Sequence, residues 1–175
     1  MLTRRVLGLS AGALALAACT QAQTQAVASD GKVEGDAMPN EKTATNIDWA
    51  NLSESDWKSR LTAEEFRVLR HEGTERPFTS PLNDNKAVGT YACAGCGLPL
   101  FKSDTKYNSG TGWPSFFDAI EGAIETKVDR KLFVPRTEYH CSRCGGHQGH
   151  VFKDGPRPTG LRYCNNGVAL DFIEA

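Results

Sequence analysis

Two copies of one short unit, Cys-x-x-Cys-Gly, restrict the possible fold of this chain more than any other feature. The first is Cys93-Ala-Gly-Cys96-Gly and the second is Cys141-Ser-Arg-Cys144-Gly. Two thiolates separated by two residues on a tight turn can bind one metal ion, and the following glycine relieves the turn sterically. Two such turns supply four thiolates, the tetrahedral set that structural Zn²⁺ favours. The sequence therefore predicts one structural zinc site formed by Cys93, Cys96, Cys141 and Cys144.

Two other uses of these cysteines remain open. Exported proteins can form disulfides, and a single Cys-x-x-Cys that opens a helix can be a thioredoxin-type redox site. The interval from Cys96 to Cys141 is also longer than in a compact zinc ribbon, so at least one hairpin must lie between the two units. Two units that each end in glycine favour zinc, and four thiolates leave no open position for catalysis.

The first nineteen residues contain the three parts of a bacterial export signal: a basic pair, an apolar stretch and a small-residue cleavage region. Arg4-Arg5 resembles a twin-arginine signal, and Leu16-Ala17-Ala18-Cys19 resembles a lipobox with an acylated cysteine. We expect residues 1–19 to be the export signal, Cys19 the lipidation site, and the product a periplasmic, membrane-anchored lipoprotein. An ordinary cleaved signal with an incidental cysteine is the alternative.

Residues 20–48 are rich in Gln, Ala, Thr, Asn and Asp and have almost no large apolar side chains. Such a segment cannot bury enough surface to offset the entropy of ordering it, so it is predicted to be a disordered linker. The folded domain is predicted to span residues 49–175. Hydrophobic residues make up 39% of the chain, which is sufficient for the core of one domain.

The net charge argues against nucleic acid as a partner, and the hydropathy argues against a membrane-spanning segment. The formal net charge is −1, which argues against nucleic-acid binding, because that affinity depends largely on clustered Lys and Arg. No apolar run approaches the ~20 residues that span a bilayer. A lipid on Cys19 is therefore the only membrane attachment we expect.

Within residues 49–175 the pattern favours short strands. Thr62-Ala-Glu-Glu65 is a capping box, and with Gly73 it predicts one short helix with Trp57 packed beside it. Later segments are short, apolar and interrupted by Gly and Pro. The predicted strands cover residues 123–128 and 131–137, which form a hairpin around Asp129-Arg130, and residues 161–164 and 169–173. We therefore expect a mainly β, antiparallel domain with a short helical segment in front.

Cys164 is the one cysteine left after Cys19 and the four zinc ligands are assigned. A lone buried cysteine is most often inert packing, but this one stands in Arg162-Tyr163-Cys164-Asn165-Asn166. Residues two apart on a strand lie on one face, and a guanidinium beside a thiol lowers its pKa. Cys164 is therefore a candidate nucleophile, with Arg162 as its activator and Asn166 able to orient a substrate amide or an imidazole.

Two further clusters are candidates for the same site. His147-Gln148-Gly149-His150-Val151-Phe152 begins three residues after Cys144, so a bound metal would hold it in place. His147 could itself be a ligand, but four thiolates already complete the shell and leave both histidines free. Trp113 lies in the turn-rich segment 109–117, where a core tryptophan is less expected than one that lines a site.

In this order the motifs resemble those of the type B methionine sulfoxide reductases, the peptide-methionine (R)-S-oxide reductases. The resemblance covers residues 49–175 and rests on these motifs: Cys93/Cys96, Gly112-Trp113-Pro114-Ser115-Phe116, Cys141/Cys144, Gly149-His150-Val151-Phe152, Asp154-Gly155-Pro156 and Gly160-Leu161-Arg162-Tyr163-Cys164. It implies a fold of two antiparallel sheets, with a structural zinc opposite the active site. It also implies that the substrates are oxidised proteins.

The resemblance assigns a role to each candidate residue. Cys164 would attack the sulfoxide sulfur and become a sulfenic acid, while His150 protonates the departing oxygen and His147 helps to place it. The remaining roles are Arg162 for lowering the Cys164 pKa, Trp113 for the substrate methyl group, Phe152 for an apolar wall and Asn166 for a hydrogen bond within the pocket.

Two positions depart from the family pattern. Thr111 stands where many members carry a recycling cysteine, and Gly167 stands where several have serine. Without the recycling cysteine, the sulfenic acid must be reduced by an outside thiol from a thioredoxin-like protein or a small molecule. Two other functions remain open: a zinc-knuckle binding module without catalysis, and a thiol–disulfide oxidoreductase acting through its Cys-x-x-Cys pairs.

Overall fold

The computed structural model describes residues 47–132 and 134–175. The predicted export signal, Cys19 and nearly all of the predicted linker lie outside the described residues. Two helices come first, α1 (Glu54–Arg60) and α2 (Ala63–His71). Single 3₁₀ turns occur at Pro81–Asn83, Ser103–Thr105 and Gly167–Ala169. None of the helices within the two described ranges has the length and apolar character needed to cross a membrane.

The helical segment contains two helices, so the prediction of a single helix was wrong. Thr62 caps α2 as expected, because its backbone N–H donates to Glu65 and its hydroxyl accepts from the Glu65 N–H. Ser53 and Asp56 form the same reciprocal cap on α1. The prediction missed α1 because it placed Trp57 beside a helix, whereas Trp57 lies inside one and is buried.

Nine strands form the β part of the described residues. In chain order they are β1 (Gly89–Cys93), β2 (Pro99–Lys102), β3 (Lys106–Tyr107), β4 (Ser115–Phe116), β5 (Ile124–Asp129), β6 (Arg136–Cys141), β7 (His147–Phe152), β8 (Arg162–Asn165) and β9 (Leu170–Glu174). A three-stranded sheet has the order β2-β1-β9, and a six-stranded sheet has the order β3-β4-β8-β7-β6-β5. Neighbouring strands are antiparallel. The prediction of a mainly β fold with two antiparallel sheets is confirmed.

The β5–β6 hairpin lies where it was predicted but has a longer loop. The Asp129 carboxylate accepts from the Lys131 N–H at 2.9 Å and turns the chain. As a result the second strand begins at Arg136 rather than at residue 131. Arg136 still pairs with Asp129 in the ladder, so two opposite charges lie side by side at the end of the hairpin.

An aromatic cluster forms the core on one face of the six-stranded sheet. Phe101 stacks on Phe116 with ring centroids 4.2 Å apart, and Tyr139 meets Tyr163 edge to face at 5.4 Å. Phe101, Phe116 and Tyr139 are fully buried. Such pairs contribute about 0.5–1.5 kcal/mol each beyond the area they bury. Because side chains alternate along a strand, the opposite face of β4, β6, β7 and β8 is left for polar groups.

Candidate active site

The sheet face opposite the aromatic core carries the candidate catalytic residues. Cys164 of β8 pairs with His150 of β7 on one side and with Ser115 of β4 on the other. Phe152 pairs with Arg162 in the same ladder. Residues directly opposite each other in an antiparallel pair share a face, so these five side chains project from the same side of the sheet.

A β-bulge brings His147 onto this face as well. Residues three apart on a regular strand would point to opposite faces. The register shifts between Tyr139 and His140, however, so that His147 pairs with His140. The ring centroids of His147 and His150 consequently lie only 5.6 Å apart. His147 is buried, which places it behind His150 rather than at the surface of the site.

Cys164 lines a pocket with a volume of about 120 Å³. This is smaller than the ~300 Å³ of typical small-molecule pockets, so it suits the end of one side chain. Five of the predicted site residues meet here, whereas Arg162 and His147 do not line the pocket. The lining residues are Thr74, Trp113, Arg136, Gly149, His150, Phe152, Cys164, Asn165 and Asn166.

Burial raises the pKa of the Cys164 thiol above its ordinary value. Three contacts oppose this effect: the charge of Arg162, a hydrogen bond with Thr111 and a hydrogen bond with Arg162. Arg162 therefore acts in the predicted direction but does not outweigh burial. At neutral pH the protonated thiol is the main form of Cys164 when no substrate is bound.

Arg162 is fixed beside the pocket by a two-point ion pair with Asp154. Its Nε and Nη2 atoms each lie 2.8 Å from a carboxylate oxygen of Asp154, and its guanidinium lies 4.3 Å from the ring centroid of Phe152. The hydrogen bonds from Arg162 lower the pKa of Asp154. A planar guanidinium held at two points keeps one orientation. In this position its positive charge lowers the pKa of Cys164.

Burial lowers the pKa of the His150 imidazole below its ordinary value. A hydrogen bond to Asp129 opposes the decrease, whereas the positive charge of Arg136 adds to it. Near neutral pH the neutral imidazole therefore predominates. Only the protonated minority can act as a full acid.

Trp113 is fixed in position by a hydrogen bond from its side chain and by the close packing of the glycine that precedes it. Its Nε1 donates to the Glu75 carbonyl at 3.1 Å. Gly112 has φ +92°, and a Cβ there would lie 2.8 Å from Pro77 Cβ and 2.9 Å from the Phe78 ring. This close packing explains why a glycine precedes the tryptophan, and it fixes the indole as one wall of the pocket.

Asn166 lines the pocket but lies just beyond the strand on which it was predicted. β8 ends at Asn165, so strand alternation does not align Asn166 with Cys164. Its Oδ1 accepts from the Glu75 N–H at 3.0 Å and its Nδ2 donates to the Gln148 carbonyl at 3.0 Å. The amide thus connects three chain segments, and one Nδ2 hydrogen remains for a substrate.

The four predicted zinc ligands form a compact buried cluster. Their Sγ atoms all lie within 4.8 Å of one another, with Cys93–Cys144 at 3.7 Å and Cys96–Cys141 at 3.5 Å. A tetrahedral zinc with Zn–S bonds of ~2.3 Å places its sulfurs about 3.8 Å apart, whereas a disulfide needs ~2.05 Å. All four thiols are free. The spacing therefore fits a metal site and not a pair of disulfides.

Each Cys-x-x-Cys unit is a turn closed by the glycine that follows it. The N–H of Gly97 donates to Cys93 O at 2.7 Å, and that of Gly145 donates to Cys141 O at 2.8 Å. Both glycines have positive φ, +73° and +66°, as the sequence predicted. Cys141 ends β6 and Arg136 of the pocket begins it. β6 thus runs from the cluster to the pocket, and Gln148 connects them more directly. Its Nε2 donates to Cys93 Sγ at 3.3 Å, and its Oε1 accepts from Nδ2 of the pocket residue Asn165 at 3.3 Å.

Comparison with known proteins identifies the family. The SelR domain pattern matches residues 61–174, and this match covers more than half of the chain. The chain belongs to the SelR domain family. It is a member of the MsrB peptide methionine sulfoxide reductases, which confirms the resemblance found in the motifs.

Three curated relatives show how much of the chain the similarity covers. All are named "Peptide methionine sulfoxide reductase MsrB". The protein of Leptospira interrogans is 55% identical over 70% of this chain and 94% of its own length. That of Methanosarcina mazei is 58% identical over 70% of this chain and 88% of its own. That of Agrobacterium fabrum is 51% identical over 70% of this chain and 91% of its own.

Two carboxylates that contact the histidines of this MsrB site were not identified from the sequence. Glu138 Oε1 lies 2.6 Å from His147 Nδ1, and Asp129 Oδ2 lies 2.8 Å from His150 Nε2. Asp129 was interpreted as a turn residue, and no pattern separated Glu138 from other acidic residues of the hairpin. The available signal was alternation, because Glu138 pairs with His150 in the β6–β7 ladder and so shares its face.

Proposed function

We propose that this protein reduces methionine-(R)-sulfoxide residues of oxidised proteins to methionine, with Cys164 as the nucleophile. The observation that carries the proposal is the pocket where Cys164, His150 and Trp113 meet. It combines a thiol, a proton donor and an aromatic wall in a space the size of one side-chain end. Membership of the MsrB family supports the same substrate class.

In the first half-reaction the Cys164 thiolate attacks the sulfoxide sulfur while His150 protonates the sulfoxide oxygen. A bond forms between the two sulfurs, and the protonated oxygen then transfers to the Cys164 sulfur. The sulfur–sulfur bond and the bond between oxygen and the methionine sulfur both break, which leaves methionine and a sulfenic acid on Cys164. The cysteine sulfur loses two electrons and the methionine sulfur gains them. Arg162 stabilises the thiolate by its charge, and Glu138 fixes His147 behind His150.

The two walls of the pocket support selection of one epimer. A sulfoxide sulfur carries an oxygen, a methyl group and the rest of the side chain. Here the oxygen would face the imidazole of His150, and the methyl group would contact Trp113 and Phe152. Exchange of oxygen and methyl would place a polar atom on an aromatic surface and leave it without a hydrogen bond, which is unfavourable.

In the second half-reaction an external thiol regenerates the enzyme. Among the described residues Cys164 is the only cysteine outside the four-cysteine cluster, and position 111 carries threonine. One thiol would displace water from the sulfenic acid and form a mixed disulfide. A second thiol would then release Cys164 and the oxidised donor. A thioredoxin-like protein or a small-molecule thiol can supply both equivalents.

The cysteine cluster is proposed to hold one structural Zn²⁺ through Cys93, Cys96, Cys141 and Cys144. With four thiolate ligands the ion would supply cross-linking of the chain and no catalytic position. It would connect the turn after β1 to the turn after β6, and the second turn leads directly into His147. The zinc would therefore fix the start of the strand that carries the histidines.

Export and lipid anchoring remain proposals that rest on residues 1–19 of the sequence. Cys19→Ala should abolish incorporation of labelled fatty acid and release the protein from membranes. Unchanged membrane attachment of this variant would reject the lipoprotein proposal.

The deciding experiment uses the separated R and S epimers of a methionine-sulfoxide peptide. Wild type and Cys164→Ser are compared with excess dithiothreitol, and the S epimer serves as the internal control. We expect turnover of the R epimer alone and its loss in Cys164→Ser. No turnover by folded, zinc-loaded wild type would reject the reductase and favour the zinc-knuckle binding module of the same fold.

A further inference from the structure

A chain of buried polar side chains leads from the cysteine cluster to the floor of the pocket. Gln148 is fully buried, and the two ends of its amide bind different partners. Nε2 donates to Cys93 Sγ and Oε1 accepts from Asn165 Nδ2, both at 3.3 Å. Asn165 Oδ1 accepts in turn from the Tyr139 hydroxyl at 2.5 Å. A buried amide with partners at both ends keeps one orientation, because turning it over would leave polar atoms unpaired.

Asn165 and Tyr139 meet on the core side of the six-stranded sheet. Gly149 pairs with Tyr139 on one side and with Asn165 on the other. It has no side chain to separate them, and a Cβ there would lie 1.9 Å from the Cys164 carbonyl oxygen. Neighbouring residues on a strand face opposite sides, so the Asn165 amide lies beneath the sheet while Cys164 faces the pocket. The polar chain therefore supports from below the strand that carries the proposed nucleophile.

The direction of these hydrogen bonds determines what Cys93 must provide. Asn165 Nδ2 also donates to the Asn166 carbonyl at 2.8 Å, and a carbonyl oxygen can only accept. The nitrogen of Asn165 therefore faces Gln148, which must present Oε1 to it and Nε2 to Cys93. Cys93 must accept, and a metal-bound cysteine is a thiolate, which accepts a hydrogen bond more strongly than a neutral thiol. The arrangement on the pocket side thus matches a metal-loaded cluster.

The backbone of Gln148 holds the next residue of the pocket. Its carbonyl accepts from the backbone N–H of Asn166 at 2.8 Å and from Asn166 Nδ2 at 3.0 Å. Asn165 and Asn166 both line the pocket, and they directly follow Cys164 in the chain. One buried residue therefore binds a cysteine of the cluster and both asparagines of the pocket.

We propose that Gln148 is a positioning residue that couples the cysteine cluster to the catalytic pocket. Its side chain donates to the Cys93 thiolate at one end and holds Asn165 at the other, and Asn165 in turn fixes the chain that follows Cys164. The inference rests on the proposed function and the proposed zinc, and deepens them by naming the residue through which a structural site affects turnover. Replacing a group that binds a metal ligand commonly changes metal affinity or activity about 10–100-fold.

The first test measures zinc release and needs no sulfoxide. Zinc-loaded protein is mixed with the chelating dye 4-(2-pyridylazo)resorcinol, whose colour reports the released metal. Gln148→Met keeps the length of the side chain and removes the amide. It should release zinc about tenfold faster than wild type, because the Cys93 thiolate loses a hydrogen-bond donor. Thermal unfolding shows that the variant compared is folded.

A double-mutant cycle tests whether the chain transmits the effect. Tyr139→Phe removes the hydroxyl that holds Asn165, and loss of one buried hydrogen bond should speed zinc release several-fold. In the Gln148→Met background the same substitution should change the rate by less than about twofold, since the connection to the cluster is already broken.

Tyr91→Phe is the matched control for Tyr139→Phe. Tyr91 stands two residues before Cys93 in β1, as Tyr139 stands two residues before Cys141 in β6. Both tyrosines are fully buried, but the Tyr91 hydroxyl has no hydrogen-bond partner among the described residues. Its removal should leave zinc release within about twofold of wild type.

The second test measures turnover of the R-sulfoxide peptide with dithiothreitol. Gln148→Met should lower kcat about tenfold, because the residues after Cys164 are no longer held. KM should stay within about twofold of wild type, because Trp113 and Phe152, which contact the substrate methyl group, are unchanged. A rise in KM at unchanged kcat would overturn the positioning role.

The outcomes separate this inference from the proposals on which it rests. Wild-type zinc release in Gln148→Met, or an effect of Tyr139→Phe that persists without the amide, would overturn the coupling. A folded wild type that binds no zinc would overturn it as well, together with the zinc proposal. Absence of turnover in zinc-loaded wild type would reject the reductase, and the zinc-release cycle would still decide whether Gln148 connects the pocket residues to the cluster.

Discussion

The Nε2 atom of His150 lies 2.8 Å from Oδ2 of Asp129, and this contact connects β7 to the edge strand β5 across β6. The N–H of Lys131 and the guanidinium of Arg136 also donate to the Asp129 carboxylate. Together with His150, these donors hold the pKa of Asp129 well below its ordinary value. A carboxylate that stays ionised in this place stabilises the imidazolium form of His150.

The first prediction concerns the variant Asp129→Asn. Asp129 raises the pKa of His150 against the effect of burial, so the variant should lower this pKa further. In wild type the reactive pair is a thiolate and an imidazolium, each the minor form at neutral pH. Between the two pKa values, a rise in pH increases the thiolate fraction and decreases the imidazolium fraction by the same factor, so the product of the two fractions stays constant. The rate should therefore be flat between the two pKa values, and about tenfold lower in Asp129→Asn.

The measurement is kcat/KM for the R-sulfoxide peptide from pH 4.5 to pH 10. Wild type should lose activity below an acid limb under pH 6.5 and above an alkaline limb over pH 9.0. Asp129→Asn should lower the plateau and move only the acid limb to lower pH. Asp104→Asn, which removes an exposed carboxylate outside the pocket, is the control. An unshifted acid limb in Asp129→Asn would show that Asp129 does not act through His150.

The second prediction concerns the ion pair that holds Arg162. Arg162→Met removes the charge that opposes the raised pKa of Cys164, so alkylation of Cys164 should need higher pH and slow by at least tenfold at pH 8. Arg162→Lys keeps the charge but loses the two-point contact with Asp154. It should give an intermediate shift.

The same pH series on Asp154→Asn tests the orientation of the guanidinium. This variant keeps Arg162 and removes the Asp154 charge, which itself raises the pKa of Cys164. Loss of that charge alone would move the alkylation midpoint to lower pH, so a midpoint at higher pH together with lower activity, which we expect, reports misplacement of Arg162. Arg157→Met is the control for removal of an exposed arginine. If Arg162→Met alkylated with the wild-type profile, the thiolate would not depend on Arg162.

The strand that carries Cys164 could be predicted from the sequence because strand alternation is a local property. Residues 161–164 were predicted as a strand, and β8 covers Arg162–Asn165. The Cys-x-x-Cys-Gly units were equally informative, since the spacing of ligands on a turn fixes their geometry. These features need no knowledge of what lies beyond the strand or turn itself.

The contacts that depend on strand register could not be predicted in this way. The bulge between Tyr139 and His140 places His147 beside His150, and no residue pattern indicated it. Asp129 becomes part of the site only because β5 and β7 lie on either side of β6. The predicted alignment of Asn166 with Cys164 failed for a related reason, since hydrogen bonds to Gln148 and Glu75 turn the chain after Asn165.

The third prediction concerns Trp113, which supplies apolar surface and one N–H. Trp113→Phe keeps an aromatic wall but loses the hydrogen bond to the Glu75 carbonyl. Trp113→Ala removes the wall, and a buried methyl group contributes about 1 kcal/mol of binding per carbon. We expect KM for the R-sulfoxide peptide to rise several-fold in Trp113→Phe and about tenfold or more in Trp113→Ala.

Steady-state kinetics on both epimers checks this prediction. Trp113→Ala should also lose part of the preference for the R epimer, because the wall that rejects the sulfoxide oxygen is gone. Thermal unfolding of each variant shows whether the loop has been damaged. An unchanged KM together with unchanged preference would mean that the methyl group does not contact Trp113.

The fourth prediction concerns the cysteine cluster. Purified protein should contain one zinc per chain, and Cys141→Ser should lose it and unfold at ordinary temperature. Binding of structural zinc to small domains provides about 10–16 kcal/mol, whereas whole domains are stable by only about 5–15 kcal/mol. A fold that depends on the ion therefore has little stability left after its loss. Metal analysis and thermal unfolding measure both effects.

Cys164→Ser is the matched control for this variant, because it makes the same chemical change outside the cluster. It should keep one zinc per chain and the melting temperature of wild type while losing turnover. Cys141→Ser should lose turnover through loss of the fold, since none of the four cysteines of the cluster lines the pocket. A zinc-free wild type with unchanged melting temperature and activity would show that the four thiolates stabilise the fold without a metal.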